Sequence, residues 1–236
     1  MPLFLNPLAP GLAPAREAAN VGAVTRGRFI TFEGGEGAGK STQVRILAER
    51  LRGAGLDVVA TREPGGSPGA EAIRALLVNG DPDRWSAASE TLLMYAARRD
   101  HIERTIRPAL ERGAWVISDR FADSTRAYQG AGGGVSQGFV AALETFVLED
   151  TRPDLTLILD LPVTLGLERA GSRGGGEARF EAKGEAFHHR LRDGFLAIAK
   201  AEPNRCVVLD AGQPPDAVSD AVWNAVAAHL PVGPQA

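Results

Sequence analysis

Apolar residues fall in five short runs, at 28–33, 57–61, 114–118, 155–161 and 206–210. Between them lie longer stretches in which apolar residues recur every three or four positions. The first, 40–53, carries Val44, Ile46, Leu47 and Leu51 and stops at Gly53 and Gly55, the pattern of a helix closed by glycine. The same spacing predicts helices over 69–79, 86–112, 137–149, 163–171, 184–201 and 214–229, the long second one with a kink at Pro108. Short apolar strands alternating with helices imply an α/β fold, a five-stranded parallel sheet with helices on both faces. In such sheets ligands gather at the carboxyl ends of the strands.

Residues 27–232 read as one domain. The first 26 begin MPLFLNPLAPGLAPAREAAN. They lack a basic start, and Pro2, Pro7, Pro10 and Pro14 break the apolar stretch, so a poorly ordered tail is expected rather than a secretory signal. A start of translation near Val21 or Val24 is a sharper expectation, testable by intact mass. No apolar run approaches the ~20 residues of a membrane span. The net charge of −3 gives no sign of a nucleic-acid or membrane surface. Cys206 is the single cysteine, which forbids an intrachain disulfide and points to a reducing cytoplasm. Of 26 basic side chains only Lys40, Lys183 and Lys200 are lysines, so a lysine at 40 stands out against a composition that avoids it.

Lys40 closes the one strong short motif. Gly34-Gly35-Glu36-Gly37-Ala38-Gly39-Lys40-Ser41-Thr42 follows the first strand and opens the first helix, matching G-x-x-x-x-G-K-[ST] in its confirming context. Glycines let successive N–H groups curl around phosphate oxygens, and the helix adds its positive end. Lys40 can reach the outer phosphates, and Ser41 can ligate Mg²⁺. An N-K-x-D signature of guanine-specific GTPases is absent, since Lys183 and Lys200 both follow alanine. A small kinase is left, with its acceptor beside the loop.

Further motifs sit at later strand ends: Thr61-Arg62-Glu63-Pro64-Gly65-Gly66, with Arg74 beyond it; Tyr95-Ala96-Ala97-Arg98; Ser118-Asp119-Arg120-Phe121; and Ser124-Thr125-Arg126-Ala127-Tyr128-Gln129-Gly130. Arg74, Arg98 and Arg120 come from three elements that converge on one end of the sheet. Guanidinium forks match phosphate, so a monophosphate site is expected there. In order and spacing this set resembles the thymidylate kinases, the bacterial enzymes that phosphorylate dTMP, over roughly nine-tenths of the chain.

The resemblance implies ATP and Mg²⁺ as cofactors, dTMP as the small-molecule partner, and a homodimer packed through the 86–112 helix. It implies that Arg98 hydrogen-bonds the thymine base and that Arg74 and Arg120 hold the acceptor phosphate. Glu36 is placed near the sugar and the metal, with Ser41, while Asp119 lies beside metal and phosphates. Tyr128 packs where a ribose 2′-hydroxyl would sit, and Thr125 and Gln129 complete the acceptor site. Where the family commonly has a stacking phenylalanine, this chain has Met94, a polarizable but smaller face.

Phosphoryl transfer needs position, positive charge and exclusion of water. The Gly-rich segment at about 172–183 suits a lid, and no arginine lies inside the phosphate loop. The resemblance implies a catalytic arginine either inside that loop or in the lid, so Arg173 and Arg179 are the expected catalytic arginines, beside Lys40, Arg120 and Asp119. His188 and His189 are expected at the surface, Cys206 as inert packing, Trp115 and Trp223 in the core, and Trp85 partly exposed. Two other readings stay open: a kinase for dUMP or UMP, and a P-loop ATPase or regulator without an acceptor.

Overall fold

A computed structural model describes residues 25–81, 83–173, 178–181 and 183–232. The expected tail up to residue 24 and the lid centre, residues 174–177 and 182, lie outside the described residues. Five strands, β1 Phe29–Glu33, β2 Val58–Arg62, β3 Trp115–Asp119, β4 Leu155–Asp160 and β5 Cys206–Asp210, form one sheet in the order β2-β3-β1-β4-β5. All four pairings are parallel. Among the described residues ten α-helices lie between and after the strands: α1 Lys40–Gly53, α2 Pro68–Val78, α3 Ala87–His101, α4 Arg107–Glu111, α5 Ala122–Thr125, α6 Gln137–Leu148, α7 Val163–Arg173, α8 Ala178–Glu181, α9 Glu185–Ala201 and α10 Pro215–His229.

Strand order explains a difference that the apolar runs hide. Every residue of β1 is buried, because β1 has neighbours on both sides and helices above and below. The equally apolar-looking DVVAT and CVVLD runs become edge strands with alternating burial. Val208 on β5 stays 43% exposed, so apolar composition there reflects β-propensity more than burial. One core layer joins Ile30, Phe32, Leu47 and Leu51 to Val222 and Val226 of α10. The opposite face joins Phe29, Val116 and Phe121 to Ile102, Ile106 and Leu148. Trp115 lies in the first layer, and Trp223 packs partly buried against it. Trp85 is half-buried, its Nε1 donating to Leu76 O at 3.1 Å.

The long helix expected over 86–112 is interrupted. α3 ends at His101, a π-helical turn spans Ile102–Ile106, and α4 resumes at Arg107. Pro108 lacks an N–H and its ring crowds the preceding turn. A wider turn just before it relieves that conflict. A second π-helical turn, Arg126–Gly132, continues α5. Its glycines, and Gly133 and Gly134 beyond, hide this helix from a propensity reading. No helix among the described residues is long and apolar enough to cross a membrane.

Candidate active site

The carboxyl end of β1 runs straight into the phosphate loop. Gly34, Gly37 and Gly39 take φ of 132°, 70° and 84°, conformations open to glycine. At Gly37 a Cβ would also come within 2.1 Å of Gly166 O, so the loop seats directly on the backbone of α7. Lys40 folds back over the loop, donating to Gly34 O at 3.1 Å and Gly35 O at 2.8 Å. Ser41 Oγ donates to Asp119 Oδ2 at 2.5 Å. Thus the hydroxyl that opens α1 and the carboxylate that ends β3 meet.

Beside the loop, Glu36, Arg120 and Tyr128 form a second cluster. Arg120 has φ 70°, a costly conformation for a side chain of its size. Its N–H donates to Phe32 O at 2.9 Å, and its carbonyl accepts from Ser118 Oγ at 2.8 Å. The turn aims the guanidinium back at the loop, with Nη1 donating to Gly34 O at 3.1 Å and Nη2 to Glu36 Oε1 at 3.1 Å. Tyr128 OH donates to the same Glu36 oxygen at 2.5 Å. Burial raises the Glu36 pKa, but the Arg120 and Lys40 charges and the Tyr128 hydroxyl outweigh it and hold the carboxyl below its ordinary value. Phe180, Phe187 and Phe195 meet the Tyr128 ring edge-on at 5.7–6.3 Å and fix its place.

A cavity opens next to this cluster. Met94, Arg98, Arg120, Thr125, Tyr128 and Gln129 all line it, so the motifs that lie far apart in sequence converge on one hollow. Arg98 is buried. Its Nε donates to Glu63 Oε2 at 2.7 Å, and Nη2 donates to Phe121 O at 2.9 Å and Thr125 Oγ1 at 3.0 Å. Burial works against its charge, and the adjacent Glu63 more than offsets this, so its pKa stays raised. Glu63 is held in turn by His101 Nδ1 at 2.9 Å, and His101 Nε2 by Thr61 Oγ1 at 2.7 Å. After this bracing one donor remains: Arg98 Nη1 is buried with no hydrogen-bond partner. An orphaned charged donor on a cavity wall fits a ligand acceptor. Arg74 approaches from α2, donating to Pro64 O at 2.7 Å.

One expectation about the lid does not survive in the same form. Arg179 turns away from the phosphate loop: its Nη1 pairs with Glu90 Oε2 and donates to Leu77 O at 3.1 Å. It is 2% exposed, so the structure makes it a buried anchor instead of a mobile cation. Arg173 ends α7, but its side chain lies outside the described residues. Arg169, on the same helix, donates to Ala211 O at 3.0 Å.

His188 also departs from expectation. It is buried, and its Nε2 has no partner, whereas His189 is exposed beside Glu185. Adjacent positions on a helix point about 100° apart. His188 falls on the stripe of Phe187, Leu191 and Phe195 that faces the core. Together with Glu36 and the Arg192–Asp160 pair it borders a second cavity, about 390 Å³, on the other side of the loop.

Glu33, Glu63 and Glu90 were not singled out as site residues by sequence reasoning. Glu33 ends β1 inside an apolar run and is fully buried. It accepts from Phe121 N at 2.8 Å and Ser124 Oγ at 2.6 Å. Burial and the nearby Asp123 push its pKa up to about 8. Only its position one residue before the glycine loop marked it.

A phosphate loop at the end of the central strand, with an arginine-lined hollow beside it, defines a P-loop phosphotransferase of the nucleotide kinase class. Comparison with known proteins narrows this. The Thymidylate kinase family profile matches residues 32–222. Thymidylate kinase of Caulobacter vibrioides is 67% identical over 207 residues, covering 88% of this chain and 99% of that one. Thymidylate kinase of Nitrobacter winogradskyi is 58% identical, covering 85% and 88%. The crystal structure of thymidylate kinase from Ehrlichia chaffeensis superposes with a TM-score of 0.69 at 37% identity, covering 85% of this chain and 99% of that one. The chain belongs to the thymidylate kinase family.

Proposed function

We propose that the chain transfers the γ-phosphoryl group of ATP to dTMP, giving dTDP and ADP. The observation that carries the acceptor reading is the buried, unpartnered Nη1 of Arg98, a residue that lines the cavity. It is a donor suited to a pyrimidine carbonyl. Gln129, whose amide nitrogen is already committed to Glu90 at 2.8 Å, supplies a complementary acceptor for a ring N–H. Arg120 lies against the loop, where the acceptor phosphate must meet the donor, and Arg74 reaches Pro64 O at the cavity's edge. The Tyr128 ring, locked by three phenylalanines and Glu36, leaves a deoxy sugar more room than a ribose. The acceptor phosphate is already ionised, so the protein's task is alignment and charge.

Lys40, the loop amides and the start of α1 hold the donor phosphates. Releasing Lys40 from Gly34 O and Gly35 O to the phosphates exchanges two neutral acceptors for charged ones. Mg²⁺ fits the hard oxygen donors that meet at Ser41 and Asp119; when bound, it neutralises charge between the outer phosphates. Glu36 reaches Arg120 and Tyr128, which favours the sugar role over the metal role for it. Among the described residues no cluster of three His, Cys, Asp or Glu would hold a metal unaided, in keeping with a metal held largely by phosphates and water.

A homodimer is part of the same reading. Leu76 on α2, Leu92 on α3 and Phe146 on α6 are 40%, 50% and 77% exposed, on helices that pack against one another. Exposed large apolar side chains on neighbouring elements suit a subunit interface, and light scattering checks it. The single, buried Cys206 supports a cytoplasmic location.

A coupled ADP-release assay tests the function. With ATP and Mg²⁺, turnover is expected to require dTMP and to fall steeply for UMP, dCMP, AMP and GMP. Against dUMP the missing methyl accounts for only ~1–3 kcal/mol. Equal ADP release without any acceptor would replace this reading with an ATPase.

A further inference from the structure

Glu90 touches two residues on which the acceptor cavity depends. It lies in the first turn of α3 and is 5% exposed. Its Oε1 accepts from Gln129 Nε2 at 2.8 Å. Its Oε2 pairs with Arg179 Nη1 from α8. Arg179 also donates to Leu77 O at 3.1 Å and Asp81 O at 3.2 Å, and so satisfies a carbonyl in the last turn of α2 that has no partner within the helix. The next residue, Phe180, is a wall of the same cavity and meets Tyr128 edge-on at 5.7 Å.

We propose that Glu90 is a positioning residue that determines base specificity: it fixes which end of the Gln129 amide faces the acceptor, and through Arg179 it ties the Phe180 wall to that choice. The proposal rests on the dTMP reading above. A primary amide has a donor end and an acceptor end of nearly equal size, and only its partners decide between them. A carboxylate paired with a guanidinium only accepts, so Gln129 must turn its nitrogen to Glu90 and leave its oxygen for the cavity. Arg98, which also lines the cavity, has a donor, Nη1, with no hydrogen-bond partner. One donor and one acceptor match the 4-carbonyl and N3–H of a 2,4-dioxopyrimidine. Cytosine, with an N3 acceptor and a 4-amino donor, presents the opposite pattern. A site whose buried polar groups are left unpaired rejects the wrong ligand strongly.

Glu90→Gln inverts the arrangement without changing its size. Arg179 can only donate, so it claims the single remaining oxygen. The new amide nitrogen then faces Gln129, draws its oxygen inward and leaves its nitrogen for the cavity. Steady-state kinetics with dTMP and dCMP read the result on the full-length enzyme, with folding checked by circular dichroism. The dTMP-over-dCMP ratio of kcat/KM is expected to fall at least ~10-fold, carried mainly by a higher KM for dTMP.

An unchanged ratio in the folded variant, with both activities lowered together, overturns the proposal and leaves Glu90 a structural role. If Glu90→Gln does not fold, the double variant Glu90→Gln/Arg179→Met removes both buried charges at once, a change that cores tolerate better than a lone charge. It frees the amide to flip, so the same fall in ratio is expected and a wild-type ratio overturns the proposal. A wild-type enzyme inert toward dTMP is a different failure: it overturns the dTMP reading itself and this proposal with it.

Discussion

Replacing Arg98 by lysine keeps a cation beside Glu63 and removes the fork. In the native site the guanidinium spends Nε on Glu63 and Nη2 on Phe121 O and Thr125 Oγ1, and Nη1 stays available to the cavity. It also lies over the Tyr95 and Phe121 rings, at 4.8 and 5.3 Å. An ammonium group on a shorter reach satisfies Glu63 but cannot also span Phe121, Thr125 and the cavity. Losing the cavity donor removes one charged hydrogen bond to the base, ~1.5–3 kcal/mol, which is a roughly 10- to 150-fold rise in the KM for dTMP. Losing the two bonds of Nη2 costs about 1–3 kcal/mol of stability, or roughly 2–12 °C in Tm for a domain of this size. Because Arg98 touches nothing in the phosphate loop, the KM for ATP should change less than twofold. Bisubstrate kinetics beside a thermal melt separate these effects. A folded variant with wild-type KM for dTMP, or one whose ATP and dTMP constants rise together, refutes the assignment of Arg98 Nη1 to the base.

Glu33 ties stability to pH. Its folded pKa, pushed up to about 8, lies above the unfolded value, so between about pH 4.5 and 8 the folded chain holds more protons. Stability from this group is full below that window and is lost as pH rises through it. Glu33→Gln should flatten the fall in Tm from pH 5 to 8, and parallel curves for the two proteins would exclude Glu33 as its source. Lys40→Met should lower kcat by ~10²–10³ while calorimetric dTMP binding persists; retained turnover would remove Lys40 from the donor site. Met94→Phe offers a larger ring to the cavity and should leave the KM for dTMP unchanged or lower, by up to ~0.5–1.5 kcal/mol. A KM raised several-fold would show that Met94 fills space the base needs.

Where an element is set by local spacing, the chain declares it. Lys40–Gly53 and Cys206–Asp210 appear where the apolar pattern puts them, and the glycine loop falls at the carboxyl end of β1. The limits arise from interactions that have no local signature. Edge position made half-exposed strands of β2 and β5, and it follows from strand order, not from composition. The π-helical turn before Pro108 is a backbone adjustment between two sound helices. That Met94, Arg98, Thr125, Tyr128 and Gln129 meet at one cavity was legible because their motifs are dense. Glu90 lies in an unremarkable SETLL stretch, and its meaning depends on Gln129 and Arg179, which are 39 and 89 residues away. Arg179 is expected as a catalytic cation because the resemblance puts one in the loop or the lid and the loop has none. The helix that carries it docks, however, and a buried carboxylate takes the charge.

Cys206 leaves the molecule convenient for spectroscopy. Burial pushes its thiol up to about 11, so near neutral pH it is almost wholly protonated and shielded from maleimides. A cysteine introduced at an exposed position such as Ser172 would therefore carry the only reactive thiol, with no native residue to remove first. A fluorophore there would report on the end of α7 in the otherwise native enzyme as nucleotides are added, turning a silent packing residue into the reason that single-site labelling is clean.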